Sequence, residues 1–230
     1  MESFSSIAQT KLAVVHLRKI NNESVEWIAL GEYQAAFYHL QDGIRLVSGV
    51  LSQPNQDEET ANLPCTAVET FPRCLDADVH DSEDITSQRC MLRSNILSLP
   101  FLISNTPEPV RSNDHCTVQS VASVAIYNMG LSCFFQSHCA MTYVAKERLL
   151  DRAFFLFHQA FQLADNATDI FLASCHNLIE LCVHRGDLCG AQRWRNRLLT
   201  ATDSMVNSWG LYQQAARIYH SATFVASRAA

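Results

Sequence analysis

Apolar residues recur at helical spacing over two long stretches of the chain, and a polar stretch separates them. In residues 7–51 the apolar positions follow the period of an α-helix, and Gly31-Glu32-Tyr33 interrupts them. This pattern predicts two helices joined by a tight turn. Residues 117–228 also predict helices, with breaks near 166–169, 186–187 and 202–208. The chain has only 7 Gly and 6 Pro, which favours helix in both stretches.

Residues 52–116 form a polar insert between the two helical stretches. Residues 52–84 contain nine acidic residues and one basic residue, and we expect most of residues 52–89 to be loosely draped or disordered. Residues 90–103 differ because they are too apolar for a free loop. Two interpretations stay open for them: a short extended or helical piece packed on the body, or a docking motif for a partner.

The chain therefore divides into four predicted parts. They are an N-terminal helical hairpin at 1–51, the acidic insert at 52–116, two helical hairpins at 117–203 and a C-terminal capping helix at 204–230. The sequence leaves open whether the first hairpin packs on the second.

Three segments can be aligned on an asparagine in the first helix of each hairpin. In the first and third segments a glycine follows nine residues after the asparagine, and a small residue follows five residues after that. The aligned residues are Asn22, Gly31 and Ala36 in the first segment and Asn177, Gly186 and Ala191 in the third. In the middle segment, the distance from Asn128 to Ala153 is longer by 11 residues. This difference predicts a lengthened middle turn around Gln136 to Leu149.

The aligned segments resemble the tetratricopeptide-repeat family. The residues that carry the resemblance are Gly31-Glu32-Tyr33, Ala36, Leu40 and Leu46; Ala125 to Cys133; Ala153, Phe157, Ala160 and Leu163; and Asn177-Leu178, Cys182, Gly186-Asp187-Leu188 and Ala191. The resemblance covers residues 17–51 and 122–202. It implies an all-α fold of helical-hairpin repeats, a right-handed superhelical α-solenoid with a long acidic insert, and a protein-interaction scaffold or adaptor without catalytic activity.

The chain departs from the family in three respects. The family period of about 34 residues holds only inside two of the hairpins, and the proline usual after the second helix is absent from all three. Arg195 occupies a position where an aromatic residue is expected.

The resemblance also implies a peptide groove at Asn22, Asn128 and Asn177. In the family this position faces the concave surface, where an amide can donate to and accept from an extended peptide backbone. The alternative is that each asparagine bonds a neighbouring helix. The family's clamp for acidic C-termini is not carried over, because those positions hold Asn21, Ala173 and Asn177.

Small residues in the repeat predict close helix approach, with large residues filling the space that they leave. The small residues are Ala36, Gly130, Ala153, Ala160 and Ala191, and the large ones are Trp27, Tyr33, Phe157 and Leu188.

Charge changes this picture little. The formal net charge is -6, and no basic footprint for nucleic acid is present. Arg185, Arg193 and Arg197 form a candidate basic patch on the third hairpin. This patch is either a solvated face with side-chain stems lying on apolar surface, or a surface for an acidic partner such as the insert of the chain itself.

The nine cysteines indicate reduced thiols in an intracellular, cytoplasmic protein, because the N-terminal residues lack the pattern of a secretion signal. Cys175 and Cys182 are seven residues apart, and no Cys-x-x-Cys exists, so core thiols are expected rather than a metal site. No phosphate loop or nucleophile elbow occurs, and we expect no cofactor and no catalysis. Two alternatives stay open: a structural subunit of a homo-oligomer or other complex, and an enzyme with a Cys- or His-based site.

Residues 115–145 contain no Asp, Glu, Lys or Arg. A membrane span would explain this, but several Gln, Ser and Asn residues interrupt the stretch and would be costly in hydrocarbon. We therefore expect no membrane contact and a helix buried at the centre of the stack.

Overall fold

The computed structural model describes residues 2–51, 70–72, 99–103, 114–164 and 169–204. Helices hold 87% of these residues, which confirms an all-α fold. The six helices are α1 (Glu2–Ala29), α2 (Tyr33–Leu51), α3 (Asp114–His138), α4 (Tyr143–Leu163), α5 (Asp169–His184) and α6 (Leu188–Ser204). Two short strands, β1 (Thr70–Pro72) and β2 (Phe101–Ile103), belong to the insert. The predicted capping helix lies outside the described residues except for Ser204, as does most of the insert.

The α1–α2 and α5–α6 hairpins close with the same turn. Gly31 and Gly186 have φ angles of 86° and 73°, which a side chain would strain. The N–H of the residue after each glycine donates to the carbonyl five residues earlier, from Glu32 to Trp27 and from Asp187 to Cys182, both at 2.9 Å. This is a Schellman motif, which satisfies the free carbonyls at the end of a helix. The glycines aligned in the sequence thus have the same local structure.

The predicted lengthening of the middle turn is wrong. Helix α3 continues to His138 and α4 begins at Tyr143, so only residues 139–142 connect them. Thr142 caps α4, because its hydroxyl accepts from the N–H of Ala145 at 3.2 Å. The extra residues instead lengthen the helices: α3 and α4 have 25 and 21 residues, whereas α5 and α6 have 16 and 17.

The first hairpin packs directly on the second. Helix α3 contacts both α1 and α2, and on its other side it contacts α4 and α5. Helices α1, α3 and α5, which carry the three aligned asparagines, therefore follow one another through the structure. The two helices on either side of the insert, α2 and α3, are therefore in direct contact.

Small residues permit close helix contacts, as predicted. Ala36, Ala153 and Ala160 are fully buried. Gly130 on α3 lies against the ring of Phe157 on α4, and a Cβ atom at Gly130 would be only 2.8 Å from ring carbons. The prediction for Leu188 is wrong, because its side chain is 69% exposed at the first position of α6 and fills no interior space.

Burial accounts for the uncharged stretch. Among the described residues, Thr117–His138 is long and apolar enough to cross a membrane by length and composition, and 83% of its apolar window is buried inside the protein. Helix α3 contacts four other helices and β2. Neighbouring elements therefore cover nearly every face of this helix, which leaves little solvent-facing surface for charged side chains.

Candidate peptide-binding site

Strand β2 lies on the surface formed by α1 and α3. It pairs with β1 in antiparallel register, with Leu102 opposite Phe71. The side chains of Phe101 and Ile103 are 3% and 1% exposed, whereas that of Leu102 is half-buried. This alternation is that of an extended chain with one face against the helices. Of the two interpretations left open for residues 90–103, the extended packed piece describes residues 101–103, and residues 90–98 lie outside the described ranges.

Two of the aligned asparagines hold the main chain of β2. The Nδ2 atom of Asn22 donates to the carbonyl of Ile103 at 2.9 Å, and its Oδ1 accepts from the N–H of Ile103 at 2.8 Å. The Nδ2 atom of Asn128 donates to the carbonyl of Phe101 at 2.9 Å, and its Oδ1 accepts from the N–H of Phe101 at 3.0 Å. Each amide therefore binds both polar backbone groups of one residue.

Asn21 joins these two contacts. It is fully buried, and its Nδ2 donates to the carbonyl of Phe101 at 3.0 Å. Its Oδ1 accepts from the Nδ2 of Asn128 at 2.9 Å. The carbonyl of Phe101 thus accepts from two amides, as its two lone pairs allow. The sequence analysis did not assign this role to Asn21, although the doubled Asn21-Asn22 pair was a visible signal.

We call the surface formed by Asn21, Asn22 and Asn128 the asparagine groove. In an extended chain the backbone groups of successive residues point to opposite sides. The backbone groups of Phe101 and Ile103 point toward the groove, as their bonds to Asn128 and Asn22 show, so those of Leu102 point toward β1. The amides of Asn22 and Asn128 lie where a neighbouring strand would pair with β2. They bind the backbone N–H and C=O, and every residue except proline carries both groups.

The side-chain contacts beneath β2 are aromatic. The ring of Phe101 meets the ring of Tyr127 edge to face, with centroids 5.4 Å apart. The Tyr127 ring is fully buried and contacts Phe157 at 5.4 Å. Burial raises the pKa of Tyr127, so its hydroxyl stays protonated at neutral pH. The aromatic side chain of Phe101 therefore lies on an aromatic floor.

Asn177 does not contact β2. Its Nδ2 donates to the hydroxyl of Tyr127 at 3.1 Å and to the carbonyl of Ala173 at 2.8 Å. The alternative in which the asparagine bonds a neighbouring helix thus describes Asn177. The three asparagines share a sequence register, but only Asn22 and Asn128 reach the extended segment. Asn177 supports the Tyr127 floor instead.

Two of the three arginines in the candidate basic patch lie on aromatic rings, and one of these two also forms an ion pair. Arg185 donates to Asp151 at 2.7 Å, and its guanidinium lies 4.9 Å from the ring centre of Phe154. Arg197 lies 4.9 Å from the ring centre of Trp194. Arg193 is exposed. These contacts match a solvated face with stems on apolar surface, and an acidic partner for this patch stays a prediction.

The cysteines of the helical core are poor nucleophiles. Burial raises the pKa of Cys133 and of Cys175 to about 12, and nearby Arg152 and Arg197 offset this only in part. Within the ranges given above, no three His, Cys, Asp or Glu side chains lie close enough together to hold a metal ion.

We expect alkylation to discriminate among these thiols. At pH 8, iodoacetamide should modify the exposed Cys139 and Cys189 readily, and it should leave Cys133 and Cys175 unmodified. A pKa raised by about three units reduces the thiolate population roughly a thousandfold, and burial limits access further. Mass spectrometry of the digested protein locates the modified residues, and the unfolded chain in urea serves as the control. Modification of Cys133 at a rate within about tenfold of Cys139 would contradict this assignment.

Comparison with known proteins gives no match. No family model matches the chain, and no curated protein or solved structure matches it.

Proposed function

We propose that this chain is a protein-interaction scaffold of the tetratricopeptide-repeat type, which binds an extended segment of a partner protein on the face of α1 and α3. The repeated glycine turn, the small residues between helices and the stacking of successive hairpins support this fold assignment. They are the devices by which helical repeats build a continuous core and leave one face of their first helices for binding.

The contact of Asn22 and Asn128 with β2 carries the proposal. Each amide binds the N–H and the carbonyl of one residue in an extended chain. Because these contacts involve main-chain atoms, they suit any extended segment, and affinity comes from backbone pairing as in strand addition. Selectivity then comes from the sites that receive the first and third side chains.

The groove is also chemically suited to an uncharged segment. Its polar groups are neutral amides, and the floor is the buried ring of Tyr127. We therefore expect the affinity to depend little on salt, because salt screens charges and leaves neutral hydrogen bonds largely unaffected.

Selection from a displayed peptide library tests this proposal. The bait is the full chain carrying Phe101→Ser and Ile103→Ser, because the loss of these two buried side chains weakens the attachment of β2 to the groove. The selected peptides are then measured against this bait alone and with Asn22→Ala or Asn196→Ala added. Asn22 is half-buried and holds two backbone bonds, so its loss should weaken binding about 5- to 30-fold. Asn196 is an exposed asparagine on α6, and its replacement should leave binding unchanged.

Two results would overturn the proposal. One is a library that yields no binder under conditions in which the chain is folded by circular dichroism. The other is a set of binders whose affinity for the bait is the same with and without Asn22→Ala, since the groove would then not be the binding surface.

A further inference from the structure

The asparagine groove is already occupied by the chain itself. Side-chain amides satisfy the backbone groups of both groove-facing residues of β2, and Leu99, two residues before the strand, is buried together with Phe101 and Ile103. Any partner that uses the groove must therefore replace this segment. This occupation differs from the charge-based masking considered in the sequence analysis, because the contacts involve asparagines rather than the arginines of α5 and α6.

The attachment of β2 has the character of a bound ligand. Its groove side is held by amides that project from α1 and α3, and its other side pairs, within the described residues, with the three residues of β1. A pair of such short strands is only marginally stable by itself. The hydrogen bonds of the six helices are made within each helix, so the departure of β2 would break none of them.

We propose that Phe101–Ile103 is an internal ligand, and that it yields the groove to an extended segment of another protein with an aromatic residue at its first position and an aliphatic residue at its third. This inference rests on the proposed function, and it adds the sequence class of the partner and the competition that regulates its binding.

The side-chain pattern follows from the geometry. In an extended segment, residues one and three present their backbone groups to Asn128 and Asn22, and their side chains lie on the same face. The first side chain lies against Tyr127, which favours an aromatic ring. The third side chain occupies the site of Ile103, which is 1% exposed. A charged side chain at this site would lose its contact with solvent, so an aliphatic side chain is favoured. The middle side chain is half-buried and is therefore less restricted.

Covalent attachment gives the internal ligand an advantage over a free peptide. A tethered segment acts at an effective concentration on the order of 1 mM. A free peptide then binds only to the fraction of molecules with an open groove, and its apparent affinity falls in proportion to that fraction. For an intrinsic Kd of roughly 10–100 μM, emptying the groove should tighten peptide binding about 10- to 100-fold.

A peptide competition experiment tests the proposal on the full chain. The probe is a fluorescent peptide of residues 98–104 with polar residues added at both ends. The groove is emptied with Phe101→Ser and Ile103→Ser together. The matched control is Leu102→Ser, which changes the half-buried middle residue of the same strand. We expect the emptied variant to bind the probe about 10- to 100-fold more tightly than the wild type or Leu102→Ser.

Hydrogen exchange on the wild type supplies a second measurement that does not depend on the folding of a variant. We expect the amides of Phe101 and Ile103 to exchange at least about tenfold faster than buried amides of α3, because β2 should open without the helices unfolding. Equal protection of β2 and α3 would overturn the proposal, since the segment would then leave only when the whole domain unfolds.

The remaining outcomes are also decisive. Equal probe binding by all three proteins, or no binding by a folded emptied variant, overturns the internal ligand. A molecular mass in solution that rises with concentration to that of a dimer, only when Phe101 and Ile103 are present, would show that the occupant of the groove is a second copy of this chain. That result overturns the proposal of a separate partner. If the probe fails but library peptides bind in an Asn22-dependent manner, the scaffold function stands. If the probe binds but the library yields nothing, the scaffold function fails and the internal ligand stands.

Discussion

Replacing Asn128 by alanine is expected to destabilise the protein by about 2–4 kcal/mol. The substitution removes the acceptor for the N–H of Phe101 and the donor to the Oδ1 of Asn21. Both groups are buried, and a buried polar group that loses its partner costs about 1–3 kcal/mol. The carbonyl of Phe101 loses one of two donors and retains Asn21. Urea denaturation followed by circular dichroism at 222 nm measures the change in the free energy of unfolding.

Asn196→Ala is the control for this effect. Asn196 has the same side chain on the exposed surface of α6, where it accepts from Gln192. Its replacement should change the free energy of unfolding by less than about 0.5 kcal/mol. Equal stability of Asn128→Ala and Asn196→Ala would show that the buried amide network contributes nothing to the fold.

Replacing Phe157 by alanine should destabilise the protein by about 3–5 kcal/mol. The ring is fully buried between Tyr127 and Gly130, and the two helices that it joins, α3 and α4, pack along their lengths. Its removal takes apolar surface from the core and leaves a cavity that fixed helices can close only in part. Thermal and urea unfolding of the variant measure this loss.

Phe155 offers a matched control on the same helix. Its side chain is 60% exposed, so Phe155→Ala should cost less than about 0.5 kcal/mol. The contact with Gly130 adds an internal check: Gly130→Ala alone should destabilise by about 1–3 kcal/mol, and less in a Phe157→Leu background, where the ring no longer obstructs the added methyl group. A loss for Phe157→Ala no larger than that for Phe155→Ala would contradict the packing described for this interface.

The helices and the glycine turns could be predicted from the sequence because their signals are local. Gly31 and Gly186 mark the ends of α1 and α5 because the turn needs a positive φ angle that glycine adopts without strain. The absence of charged residues from 115–145 identified α3 as a buried helix, since an uncharged face must be covered. The prediction of a lengthened middle turn was wrong for a related reason. Extra residues between Asn128 and Ala153 can lengthen helices as well as a loop, and spacing alone does not distinguish the two.

The site was predicted in part. The shared register singled out Asn22 and Asn128 for contact with an extended backbone, and the apolar run in the insert marked residues 90–103 as different. The sequence did not show that these two features meet. Phe101 and Asn128 are 27 residues apart, and Ile103 and Asn22 are 81 apart, so their pairing depends on the path of the insert. The register also could not separate Asn177, which bonds Tyr127, from the other two asparagines.

The sequence by itself thus determined the six helices, the glycine turns and the small residues at helix contacts, because each depends on neighbours within a few positions along the chain. Only the tertiary structure decided that the first hairpin packs on the second, that Asn21 joins Asn22 and Asn128 in one network, and that β2 occupies their groove. Those features depend on contacts between segments that the insert separates along the chain. The free energy of such contacts comes from burial and hydrogen bonding between distant segments, which no local pattern encodes.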